Sequence, residues 1–91
     1  MNLEETLATI EKTIKGFEAA QVTTYRAYRK NKKGVDKEVT IEVLDRGPGK
    51  PDLRYLVIAT DQDGKQASGN SGPNLEVVLA TVHWYDLDRD A

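Results

Sequence analysis

Between Pro73 and Leu87 the chain reads PNLEVVLATVHWYDL, its most apolar stretch and the only one hydrophobic on two sides. Wound as a helix at about 100° per residue, Leu75, Val78, Leu79, Val82 and Tyr85 share one stripe wide enough to face a core. Val77, Ala80 and Trp84, with Thr81 beside them, share the opposite side, which on the surface helix of a monomer should be polar. If the helix continued, Asp86 would return to the core stripe, where a desolvated carboxylate is costly, so it should end near Tyr85 and leave Leu87 outside. Pro73 suits a first helical turn, and Glu76 complements the positive end of the helix dipole.

At the other end, Leu3, Leu7, Ile10, Ile14 and Phe17 fall on one narrow helical stripe while Glu4, Glu5, Glu11, Lys12 and Lys15 face away. The spacing predicts a helix over 3–18 that packs on a core, with Asn2 as N-cap and a Glu11 to Lys15 pair in the favourable orientation. The stripe is too short for a coiled coil, which needs three or four heptads.

Between these segments the period changes to two. VTTYRAYRK, 22–30, is rich in Thr and Tyr and reads as a strand, although neither alternate set of side chains is cleanly apolar. In 37–44, Val39, Ile41 and Val43 alternate with Glu38, Thr40 and Glu42, giving one core face and one wet face. NKKG, 31–34, joins the two as a hairpin turn. RGPGKPD, 46–52, is a loop because its prolines and glycines cannot sustain a ladder. LRYLVIAT, 53–60, is apolar on both alternate sets and is expected to be covered on both sides, on one of them by a helix. DQDG, 61–64, is a turn, and 65–70 is either a fourth strand or extended coil. No repeat or linker divides 1–91, so the expectation is a single α+β domain ordered α-β-β-β-(β)-α, its antiparallel three- or four-stranded meander carrying both helices on one face.

Composition narrows the chemistry. No cysteine is present, which excludes disulfides, thiolate catalysis and cysteine-based zinc sites, and agrees with a cytoplasmic setting. The start is acidic and amphipathic rather than a basic leader, and no run approaches a membrane span. A net charge of −2 argues against a purely electrostatic nucleic-acid binder, though not against a local patch. Asp86, Asp88 and Asp90 have a D-x-D-x-D spacing without the glycine or distal glutamate of a calcium loop, so no metal is expected there and 88–91 reads as a disordered acidic tail. His83 is the only histidine and forms no metal set by itself. SGNSGPN, 68–74, approaches a helix N-terminus without the spacing of a phosphate loop.

One concentration of charge stands out. Arg26, Arg29, Lys30, Lys32, Lys33 and Lys37 crowd the first hairpin with Tyr25 and Tyr28 interleaved, a composition suited to phosphates and stacked bases. In topology, over most of the chain, the α-β-β-β-α order resembles the layout of double-stranded RNA-binding domains, which implies contact with duplex RNA. That family clamps phosphates with a lysine cluster at the start of its second helix, where this chain reads Pro73, Asn74, Leu75 and Glu76. The residues as a whole point to a small non-enzymatic interaction module without a cofactor. It is expected to self-associate as a homodimer or dock a partner protein through Val77, Ala80, Thr81 and Trp84; the alternative is a nucleic-acid binder using the basic hairpin.

Overall fold

The alternating segment Val39–Val43 becomes the spine of the molecule. A computed structural model describes residues 1–16 and 18–88. Its sheet is a four-stranded antiparallel meander in the order β1 (Gln21–Lys30), β2 (Asp36–Asp45), β3 (Tyr55–Asp61) and β4 (Gln66–Ser68). The register sets Ala27 beside Val39 and Val39 beside Asp61, Tyr25 beside Ile41 and Ile41 beside Ala59, and Thr23, Val43 and Val57 in one row. Ala67 extends the Ala59 row onto β4. Residues 65–70 therefore do supply a fourth strand, reduced to its middle residues.

α1 (Leu3–Ile14) precedes this sheet and α2 (Leu75–Ala80) follows it, so the chain is an α+β domain with an N-terminal helix and a bent C-terminal one. Val39, Val43, Val57, Ala59, Ala67, Val78, Val82 and Leu87 form one buried cluster, with Leu75, Leu79 and Trp84 packed against it. Each fully buried Val in this cluster contributes on the order of 1.5–3 kcal/mol from apolar area removed from water.

The last helix is not the continuous rod its wheel suggests. Asn74 caps α2 by accepting the Val77 N–H at 3.2 Å, and the helix ends at Thr81, whose hydroxyl donates back to the Val78 carbonyl at 3.1 Å. The chain then docks on β4, His83 N–H donating to the Ser68 carbonyl at 3.2 Å, and resumes as a 3-10 turn over Trp84–Asp88. Close backbone approach explains the break: a Cβ on Gly69 would stand 2.6 Å from the Thr81 carbonyl oxygen. Rotating the chain at this point exposes Tyr85, which the wheel places on the core stripe, and buries Leu87, which lies outside α2 as expected.

α1 also departs from its wheel. It stops at Ile14 rather than near 18, because Lys15 takes the left-handed conformation (φ 58°). Gly16 N–H then donates to the Glu11 carbonyl and Lys15 N–H to the Lys12 carbonyl, the paired closing bonds of a Schellman motif. Of the four described residues of the stripe only Leu7 is buried; Ile14 is 66% exposed and Ile10 is exposed as well, while Phe17 lies outside the described residues. Of the two helices expected on one sheet face, the bent C-terminal one packs there, α2 against β3 and the 3-10 turn against β4. α1 is instead tied to the loop after β2, where a Cβ on Gly47 (φ 85°) would lie 3.2 Å from Leu7 Cδ1. Glu11 fastens the same junction, accepting from Lys50 Nζ and from the Ala19 N–H, both at 2.9 Å. The lysine holds the Glu11 carboxyl below the usual carboxylate range.

Candidate interaction surfaces

The bend after α2 separates the residues that the helix wheel groups together. Val77, Ala80 and Thr81 remain exposed on the outside of α2. Trp84, displaced onto the 3-10 turn, is half-buried and packs against the core cluster, where it walls an apolar groove of about 220 Å³ floored by Ala27, Val39 and Ile41. The four therefore do not form one patch. His83 and Tyr85 stack on each other outside it, ring centroids 5.5 Å apart.

The first hairpin closes through the loop 31–35, in which Asn31 Oδ1 accepts the N–H groups of Lys33 at 2.9 Å and Val35 at 3.0 Å, and Gly34 takes φ 78°. Its cations do not form a free basic field. Arg26 meets Glu38 at 2.8 Å, Lys30 meets Asp36 at 2.9 Å and Lys37 meets Asp63 at 3.0 Å. Arg29 grips Asp88 with both terminal guanidinium nitrogens, Nη1 and Nη2, at 2.9 and 3.2 Å. That fork lowers the Asp88 carboxyl below its ordinary range and raises the Arg29 guanidinium. Asp88 is thus an anchored residue rather than the start of a loose tail, and 89–91 lie outside the described residues. Lys32 also acts on Asp88, through its backbone N–H and its charge, and with Lys33, Lys37 and Lys65 from the turn between β3 and β4 it lines a cavity of about 280 Å³ that also holds Asp61, Asp63 and Asp88.

Asp61 is the one buried charged residue among those described, and its Oδ1 accepts the N–H groups of Asp63 and Lys65, both at 2.9 Å. That is a turn-forming role. No group of three or more metal-ligating side chains occurs among the described residues. At the opposite end of the sheet, Arg46 bonds Glu18, the Leu53 carbonyl and Ser71 beside a cavity of about 420 Å³, so its charge already serves to hold three loops together.

Sequence reasoning passed over one surface. β1 is an edge strand whose side chains are almost all exposed, among them Val22 (49%), Tyr25 (56%) and Tyr28 (70%). The signal was present in the failure of either alternate set of 22–30 to be cleanly apolar: large apolar side chains stand on both faces of one outer strand. No helix of the described residues is long and apolar enough to cross a membrane. The sequence matches no protein-family model, no curated protein and no solved structure.

Proposed function

We propose that this chain is a small non-enzymatic interaction module that works by self-association. The observation that carries the reading is the edge strand β1, where Val22, Tyr25 and Tyr28 stand in water beside an unpaired row of backbone groups. An exposed edge of this length is a template for another chain. The outer face of α2, with Val77, Ala80 and Thr81, is a second, smaller candidate surface, no longer strengthened by Trp84. Sedimentation of the whole chain over a concentration series tests the reading: the mass should rise with concentration, and a single monomeric mass throughout rejects it. Val77→Lys assigns the α2 face, since an association routed through it should weaken while folding persists.

Nucleic-acid binding is a second reading, favoured by the clustering of Lys32, Lys33, Lys37 and Lys65 around one cavity at the hairpin end. Against it stand the carboxylates that already match Arg26, Arg29, Lys30 and Lys37. Phosphate contacts would make oligonucleotide affinity fall steeply with salt, and the triple substitution Lys30→Gln, Lys32→Gln, Lys33→Gln would flatten that slope. Absence of binding at low salt removes this reading.

A further inference from the structure

The hydrogen-bond alternation shows which groups of β1 are free. Gln62 N–H donates to the Glu38 carbonyl and Arg46 N–H to the Arg54 carbonyl, so the even-numbered residues of β2 bond to β3 and its odd-numbered ones to β1. Asn31 N–H donating to the Val35 carbonyl fits the same phase. In the β1 register, odd residues pair with odd, which leaves the N–H and C=O groups of Val22, Thr24, Arg26, Tyr28 and Lys30 pointing away from the sheet.

From this edge, and building on the self-association reading above, we propose that a second copy of the chain pairs antiparallel with β1 about a two-fold axis that sets Tyr25 opposite the partner copy's Tyr25. Charge along the strand selects both direction and register. Arg26, Arg29 and Lys30 occupy one half of β1, and Gln21 to Tyr25 carry no charge. Parallel pairing would bring cation against cation, whereas antiparallel pairing lays the charged half on the neutral half. Shifting the axis by one residue, onto Arg26, would oppose the two Arg26 side chains directly. The axis at Tyr25 avoids this, placing Arg26 against Thr24 and Arg29 against Gln21.

The same register sets Tyr28 against Val22, an aromatic and β-branched pair on the sheet face opposite the core, and it satisfies the outward groups of Val22, Thr24, Arg26 and Tyr28 together. The cations require no acid from the second copy, because Glu38, Asp88 and Asp36 of their own chain already hold Arg26, Arg29 and Lys30. Antiparallel β1 pairing of this kind joins two four-stranded meanders into one continuous sheet.

Two variants read the geometry directly. Thr24→Pro deletes an outward N–H and no bond within the sheet, so the whole chain should sediment as a monomer and keep the melting temperature that the parent chain shows at concentrations where it is monomeric. The chain has no cysteine of its own, so disulfide trapping is unambiguous: Tyr25→Cys should cross-link to itself under mild oxidation at least about tenfold faster than Tyr28→Cys, which this register places opposite Val22. If Thr24→Pro fails to fold, the cysteine comparison decides alone. A dimer that survives Thr24→Pro, or equal trapping of the two cysteines, overturns the β1 pairing and leaves self-association standing. A parent chain that is monomeric at every concentration overturns both.

Discussion

The two helices invert what their sequences promise. α1 has the cleaner apolar stripe and the longer run, yet buries only Leu7 and leaves Ile10 and Ile14 in water. The C-terminal segment is short and broken, and it supplies Val78, Val82 and Leu87 to the core. A helical stripe states which residues share a side, not what that side will meet. What it meets is decided by where the connections deliver the helix. The loop after β2 holds α1 through Gly47 and Lys50, while β4 captures the C-terminal chain through Ser68.

The sharpest way to break this contrast is at Leu87. It is 4% exposed within the sheet-facing cluster. Leu87→Ala should cost about 2–5 kcal/mol in a denaturant titration, as truncation of a buried Leu does. A loss near zero would mean that the 3-10 turn is not part of the core, and the contrast between the two helices would disappear.

The bend itself is next. Gly69 leaves room for the Thr81 carbonyl, and Gly69→Ala drives a Cβ to 2.6 Å from it, so the backbone must shift at a cost of about 1–3 kcal/mol. Gly34→Ala is the control, with a positive φ but nothing near its Cβ, and should cost no more than about 1–2 kcal/mol from backbone strain alone. If Gly69→Ala is the milder of the two by equilibrium unfolding, the close approach does not set the bend.

These contacts mark the boundary of what was legible in the residues. Element order could be read because alternation in Val39–Val43 and the 3.6-residue period in Leu3–Ile14 are local. The carboxylates that match the hairpin cations could not. Glu38 lies across the ladder from Tyr28, two residues along from Thr40, Arg26's own partner, while Asp63 and Asp88 arrive from a distant turn and from the C-terminal segment. The bend at Thr81 was equally hidden, since it depends on Gly69 passing nearby and not on any breaker inside LEVVLATVHW. Trp84 falls on the outside of a straight rod because nothing within the helix signals that the rod ends.

The Arg29–Asp88 fork tests the anchoring of that C-terminal segment through pH. The Asp88 carboxyl is lowered in the folded chain, chiefly by its bond to Arg29. A depressed carboxylate contributes stability that is complete above its unfolded value of about 4 and is lost as pH falls through the lower folded value. Asp88→Asn should therefore lower the melting temperature at neutral pH by a small amount, and the difference from the parent should close in acid. A difference that persists unchanged well below pH 4 would show that the fork's charge is not what holds this segment.

The smallest expected effect completes the comparison from the other helix. Ile14 belongs to the cleanest stripe in the sequence, where truncation to Ala would cost about 2–5 kcal/mol if it were buried. In the folded chain it is 66% exposed at the last turn of α1, with Lys15 turning the backbone away immediately after it. Ile14→Ala should then change stability by less than about 0.5 kcal/mol, the usual range for a surface substitution, and Ala's higher helix propensity offsets part of any lost contact. Concentration makes the measurement decisive, because an Ile14 buried only on association would become costly when unfolding is measured at high protein concentration. A loss of 2 kcal/mol or more that appears only there would place the α1 stripe inside an interface; the same loss at every concentration would place it in the core of the single chain, and the contrast between the two helices would fail.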